Sequence, residues 1–302
     1  MTMRTLPNIG VDELVTRYEL EFTQREVVKI LGKQLVGKQL FANGINGGGW
    51  DGGPGKKNYN YYKEVDQDEA LISMEGTTQA NSKSMRELAT VKVPAITQSW
   101  TIQWRDLETA KSEGFDLLSF HAIAAARKIA EAEDMMMITG EHTGFECYGV
   151  EGLATATTIN TVAGGAWPAN AIDNVLAAAA ALQTDGFHDL PVLLAGSVLI
   201  KCIKDEKNAA SDFSMLRYLL DNDIISGVVE SSHLRTAAGV EDTTALLVDP
   251  DPNYLYYVEG QAPKLTVKLD KHDDLFCMLR ETIAPVVARP ECVCSITGLS
   301  CA

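Results

Sequence analysis

Seven glycines fall between Gly44 and Gly55 in the stretch ANGINGGGWDGGPGKKN, and a long run of β-favouring but polar sequence follows directly. Glycine loses more backbone entropy on ordering than any other residue, so this stretch reads as a hinge or tether. Beyond it, YNYYKEVDQDEALISMEGTTQANSKSMRELATVKVPAITQSWTIQW concentrates strand formers in Tyr59–Val65, Ala70–Met74 and Val91–Trp104, with Gly, Asn and Ser breaks between. The pattern predicts a two-stranded excursion of about 35–45 residues with little apolar content at its tip. A two-stranded ribbon is marginal in water by itself, and one this polar has nothing to bury on its own body, so it is expected to lie on a neighbour. That single expectation pushes the chain toward assembly.

The rest of the chain can fold around a real core. At 302 residues, 46% hydrophobic and 22% charged, it has ordinary globular composition, which excludes a disordered chain, a coiled coil or a collagen-like polymer. The main predicted element is a helix over Asp116–Thr139, DLLSFHAIAAARKIAEAEDMMMIT, with Asp116 as N-cap and Gly140 closing it. Its Ala-rich centre permits close backbone approach on more than one side, and Ile123, Ile129 and Met136 are its expected core residues. Upstream, Leu14–Phe41 shows helical spacing at Phe22, Val27, Ile30, Leu31 and Leu35, interrupted by Gly32 and Gly37, which predicts an amphipathic arm. Downstream, Thr155–Trp167 reads as a loop. Helices are expected at Ala171–Leu182, Ser197–Asn208 and Ser214–Asp221, and strands at Leu190–Gly196, Val228–Val229, Thr244–Val248, Tyr254–Val258 and Leu265–Leu269. The closing runs LFCMLRETIAPVV and ECVCSIT complete a strand-rich C-terminal quarter.

Reactive constellations are missing. With Gly55-Lys56 as the GK pair of a phosphate loop, the first glycine would fall on Trp50 and the hydroxyl residue on Lys57, so the spacing fails. Ser197 in LLAGSVL has Ala195 and Leu199 where a nucleophile elbow needs glycines, and it reads as a helix N-cap. The histidines His121, His142, His188, His233 and His272 are scattered without metal spacing. Asp66, Asp68 and Glu69, and likewise Glu131, Glu133 and Asp134, read as solvated charge runs. Asp249 and Asp251 in DPDPN make a turn and lack the calcium-loop pattern. No catalytic, cofactor-binding or metal residue is therefore assigned, and a non-enzymatic structural role gains weight.

Charge and cysteine usage narrow the partners. A formal net charge of −15 repels phosphate backbones and argues against a tight nucleic-acid clamp, yet it suits a wall that encloses DNA without adhering to it. No stretch approaches the ~18–20 apolar residues of a membrane helix, and MTMRTLPNIG lacks an apolar signal core. The six cysteines (Cys147, Cys202, Cys277, Cys292, Cys294, Cys301) are too sparse for a disulfide scaffold, so reduced thiols are expected.

The segment VKVPAITQSWTIQWRDLETAKSEGFDLLSFHAIAAARKIAEAEDMMMITG followed by Gly149-Val150-Glu151-Gly152-Leu153 resembles the central segment shared by encapsulin shell proteins and the major capsid proteins of tailed phages. In those families a Val-Pro strand leads through an Arg/Asp-rich stretch into a long helix ending in A-E-D, here Ala132-Glu133-Asp134, and then into G-[IV]-x-G-[IL]. MLRYLLDNDIISGVVESSHLR and LTVKLDKHDDLFCMLRETIAPVVARPECVCSI resemble further parts of the same group, so the likeness spans about residues 90–297 in one order.

The resemblance implies an α+β fold of the Hong Kong-phage type: an N-terminal arm (1–45), a glycine hinge and extended loop (46–90), a peripheral domain on the spine helix (91–152), an axial domain (153–260), and return strands of the peripheral domain with the tail (261–302). It implies a major capsid protein forming pentamers and hexamers of an icosahedral shell around double-stranded DNA, with scaffolding, portal and decoration proteins as possible partners and no membrane. The location would be a virion capsid assembled in the host cytoplasm. An encapsulin compartment around a cargo enzyme is the alternative. The extended loop is longer and richer in paired polar β residues than in encapsulins, in a style closer to phage capsids, and with the arm placed first a separate scaffolding protein would be expected if the chain is viral. Within this frame Trp50 through Met85 would overlap a neighbouring subunit and Glu21–Gln39 would line the inner face. Lys56, Lys57, Lys63 and Lys83 are the candidates for the isopeptide links some relatives make, and none is expected here.

Overall fold

The computed structural model describes residues 23, 27, 36–43, 53, 55–64, 86–205, 214–234, 243–270 and 274–301. The expected strand Ala70–Met74, the tip of the excursion, Lys83, His272 and most of the glycine stretch and of the arm lie outside these residues.

A four-stranded sheet and the spine helix form one end of the molecule. Its order is β1 (Ala42–Asn43), β10 (Leu255–Leu269), β11 (Leu275–Val287) and β4 (Ala95–Ile102). The two expected strands Tyr254–Val258 and Leu265–Leu269 are one continuous strand, β10. The Gly260–Pro263 stretch between them is absorbed by register shifts between Glu259 and Gln261 and between Gln261 and Lys264.

Short helix α2 (Trp104–Glu113) leads from β4 into the spine, α3 (Leu117–Ile138). The Asp116 carboxylate accepts from the Ser119 amide at 3.0 Å, as an N-cap should, and Gly140 takes φ +70° just past the end. Ala122, Ala125, Ala126, Ile129 and Ala130 pack on Leu265 and Leu279 of the sheet. Ile123 is only half-buried, and Met136 joins the second, larger core rather than this one. The 3.6-residue period explains the exchange: Ala122, Ala126, Ile129 and Ala130 share a stripe that Ile123 flanks.

The second sheet has the order β5 (Asn160–Ala163), β12 (Val293–Thr297), β9 (Thr244–Val248), β7 (Val192–Ala195) and β8 (Gly227–Glu230). Helices α4 (Ala171–Thr184), α5 (Ser197–Asp205) and α6 (Met215–Asp221) accompany it. Every residue of β9 is buried, so its apolar run is the signature of a central strand. Two expectations are corrected here. The Thr155–Trp167 loop contains β5 and β6 (Ala166–Trp167). The run ECVCSIT, expected with 261–302 among return strands and tail, does not join the four-stranded sheet: it forms β12 (Val293–Thr297), which pairs with β9 and β5. A 3-10 turn at Pro290–Cys292 provides the crossing.

Cysteine pairing is a third correction. Strand β13 (Ser300–Cys301) runs parallel to β6 beside α5, and there Cys301 is disulfide-bonded to Cys202 with Cα atoms 6.2 Å apart. Reduction was expected from sparse cysteine usage, and no local signal announces a pair separated by 99 positions. Cys147, Cys277, Cys292 and Cys294 are free and buried.

Below the spine, the G-V-E-G-L turn has a specific physical function. A Cβ at Gly152 would lie 2.3 Å from the Gly140 amide nitrogen, and a Cβ at Gly140 would lie 2.2 Å from that of Gly152. This approach lets Leu153 and Ala154 donate to the Met137 and Ile138 carbonyls at 3.2 and 2.9 Å, satisfying groups that the helix end leaves open. Gly152→Ala is therefore expected to destabilise the chain by about 1–3 kcal/mol, the usual range for forced overpacking. The check is a lower melting temperature in calorimetry; an unchanged one would refute the reading.

Candidate assembly surfaces

Strands β2 (Asn58–Glu64) and β3 (Arg86–Lys92) form an isolated antiparallel hairpin with two unlike faces. Tyr59 and Tyr61 point to one side with their rings stacked at 6.2 Å. The Tyr256 hydroxyl shares a hydrogen bond with Tyr59, and burial followed by repulsion from Tyr59 raises its pKa. Burial first and Glu151 second push Tyr61 up to about 12. The base of the hairpin thus rests on its own subunit, which corrects the expectation that nothing there could. On the other side Tyr62 and Leu88 sit directly opposite each other and are 62% and 58% exposed. Thr90 donates to Asn60 at 2.8 Å beside them. Together Tyr62 and Leu88 form a cross-strand aromatic–aliphatic pair exposed on that face.

Further aromatic exposure lies at the start of the spine. Trp104, Phe115 and Phe120 are each at least half exposed, the rings of Phe115 and Phe120 meet tilted at 54° with centroids 5.8 Å apart, and His121 meets Phe120 edge-on at 5.6 Å. Beside the second sheet, a cleft of about 310 Å³ is lined by Leu176, Phe187, His188, Leu190 and Asp223 among others.

The arm is fastened to the far end of the spine. In α1 (Gly37–Leu40) the Gly37 amide donates to Asp134 Oδ1 at 2.6 Å, and its Cα approaches so closely that a Cβ would fall 2.8 Å from that of Met137. The preceding Val36 offers no side-chain cap, so Asp134 supplies from the spine the acceptor that the helix start lacks. Lys38 Nζ lies 2.5 Å from Glu133 and 3.7 Å from Glu281, and 5.5 Å from the centre of the Tyr257 ring. Glu133 and Asp134, read from sequence as solvated, are 0% and 4% exposed. Of that charge run only Glu131 faces water, paired with Lys128 at 2.7 Å.

Other sequence candidates stay apart. Ser197 opens α5, and Asp251 caps its own turn by accepting from the Asn253 amide at 2.8 Å. His142 is buried with Nδ1 3.1 Å from the Gly140 carbonyl. Lys56 and Lys57 are exposed and Lys63 is half-buried. Among the described residues, no group of three or more His, Cys, Asp or Glu side chains is placed to hold a metal, and no helix is long and apolar enough to cross a membrane.

A spine helix shared by two unlike sheets, a projecting hairpin and a docked arm define the Hong Kong-phage-type capsid fold, here in its encapsulin-like form. The chain belongs to the Linocin_M18 family, described as encapsulating protein for peroxidase, whose model matches residues 24–229. It is 26% identical over 223 residues to the type 1 encapsulin shell protein EncA of Myxococcus xanthus, covering 72% of this chain and 73% of that protein. Among solved structures it is similar to a virus-like particle from Pyrococcus furiosus, with TM-score 0.64 and 13% identity over 93% of this chain and 100% of that one. It is also similar to the capsid of Myoviridae phage XM1, with TM-score 0.64 and 16% identity over 90% of this chain and 92% of that one.

If Gly37 and Lys38 hold the arm, Gly37→Ala should lift it from Met137 and Asp134. Tryptic cleavage after Lys38 is then expected to accelerate several-fold in a timed digest. Equal rates for both proteins would show that the contact does not restrain the arm.

Proposed function

We propose that the chain is the wall of a closed icosahedral shell, assembled from pentamers and hexamers of itself, and that the shell is a protein-holding compartment of the encapsulin kind. The observation behind self-assembly is the hairpin, which rests one face on its own subunit and leaves Tyr62 and Leu88 open on the other. Repeating that contact over a symmetric particle adds many weak contacts into a stable whole. Support for the encapsulin kind comes from sequence, through the family match and the 26% identity to EncA. The role is structural, not enzymatic.

A second reading, the major capsid protein of a tailed phage around double-stranded DNA, is favoured by the long polar hairpin and by the phage capsids among the structural relatives. It would bring scaffolding, portal and decoration partners, a virion location and assembly in the host cytoplasm. A net charge of −15 suits a non-adhesive wall in either case.

Electron micrographs of purified particles, with mass spectrometry and nucleic-acid assay of their contents, separate the two. Packed protein and little nucleic acid are expected, whereas genome-length DNA and a portal vertex would assign the chain to the second reading. Deleting Asn58–Met85 should leave soluble subunits or capsomers that never close, and shells of normal yield would remove the hairpin from the account. On a boiled denaturing gel the shell should run as monomer, without isopeptide ladders.

A further inference from the structure

The end of the chain is held by two unlike attachments. Up to Leu299 the hold is packing and backbone: Leu299 is 3% exposed, its amide donates to the Thr243 carbonyl at 3.0 Å, and the Gly164 amide donates to the Thr297 carbonyl at 2.7 Å. A Cβ at Gly164 would fall 2.4 Å from Leu299 Cδ2, so the leucine is seated directly on backbone. Past Leu299 there is β13, whose two exposed residues pair with β6, and the bond from Cys301 to Cys202 on α5. A pairing this short does not order a strand in water, so the covalent bond is what keeps β13 in place. Its two sulfurs differ in access, for Cys301 is exposed and Cys202 is half-buried.

We propose that the Cys202–Cys301 bond is a thiol–disulfide exchange site that takes a dithiol reductant, and that opening it frees the chain beyond Leu299 and lowers the stability of the subunit. A thiolate of the reductant attacks the exposed Cys301 sulfur, the Cys202–Cys301 bond breaks, and Cys202 leaves as a thiolate that takes up a proton. The second thiol of the reductant then attacks its own sulfur in the mixed disulfide. Cys301 is released as a thiol, and the reductant departs as a cyclic disulfide. Two electrons have passed from the dithiol to the cysteine pair. The reverse steps, with a disulfide as oxidant, close the bond again.

The remaining cysteines do not compete. Cys147, Cys277, Cys292 and Cys294 are buried, and burial raises each thiol, Cys147 and Cys294 to about 11 and Cys277 to about 12. At neutral pH they are not thiolates, so they neither attack the bond nor replace a member of it. The effect on stability acts through the unfolded chain: the bond joins positions 99 apart, and opening it returns the entropy of that loop to the unfolded state. The site lies within one subunit and does not depend on what a shell would enclose.

The test uses the full-length protein as purified. Unfolded in iodoacetamide without reductant, it should be labelled at Cys147, Cys277, Cys292 and Cys294 alone, and label on all of its cysteines would overturn the bond itself. In the folded protein, dithiothreitol should make Cys202 and Cys301 label about tenfold faster than the buried thiols, or more. A bond that opens only on unfolding overturns the exchange site. Carboxypeptidase, followed by intact mass, should then remove Cys301 and Ser300 from the reduced protein several-fold faster than from the oxidised one and stop at Leu299. Equal trimming, or trimming that runs on into β12, refutes release of the strand. The melting temperature should fall by about 4–10 °C on reduction, and Cys301→Ser should melt at the reduced value and ignore the reductant. An unchanged wild type, or a variant that still responds, refutes the stabilising role, and the wild-type measurements decide by themselves if the variant does not fold.

Discussion

The last turn of the spine carries the architecture, because three separate parts of the chain dock their backbones on it. The arm arrives at Asp134 and Met137, the glycine turn at Met137 through Thr139, and the segment after β8 at Thr139, whose hydroxyl donates to the His233 carbonyl at 2.5 Å. A helix end ordinarily leaves its final carbonyls to water. Here Leu153 and Ala154 take two of them and Thr155 donates to the Thr139 carbonyl at 2.7 Å, so the terminus can be buried without orphaned groups. Close approach is the geometric condition, and glycine at 37, 140 and 152 meets it where any Cβ would collide.

Burying Glu133 and Asp134 at that junction is costly, and the structure recovers the cost through what only charged acceptors can do. Asp134 caps a helix whose own flanking residue is Val36, and Glu133 draws Lys38 inward across the Tyr257 ring. Apolar residues of equal volume would pack, but they would leave the Gly37 amide without its acceptor. The junction therefore trades stability for a defined register of the arm against the spine. Removing one charged member and leaving the others is more harmful than never having built the group.

Sequence made the local elements legible, and it failed where partners come from far away. The spine was bounded within a residue at each end because Asp116 and Gly140 are strong boundary signals that act within one turn. Thr244–Val248 and Leu275–Val287 were fixed as strands by β-rich runs between turn residues. The arm's seat was not legible: a run of Glu131, Glu133 and Asp134 gives no hint which of its members a segment 97 positions earlier will cover. The same holds for the disulfide, for β12 crossing to the second sheet and for β10 continuing through its bulges, since each is settled by pairing with a distant strand or side chain.

The hairpin follows from the same spine-centred geometry. β3 is followed after two residues by β4, which is locked into the four-stranded sheet against β11, so the hairpin's base has little freedom to swing. Tyr59 and Tyr61 close the remaining gap to Tyr256 and Glu151. Folding of the subunit thus settles which face points outward before any second copy arrives. An isolated ribbon of this length gains too little from its own pairing to stay ordered alone, so a base anchored on the body lowers the entropy that a later contact must overcome. Preorganisation of this kind would make the proposed weak, repeated contact sufficient, because a neighbouring copy would meet the Tyr62–Leu88 face already presented.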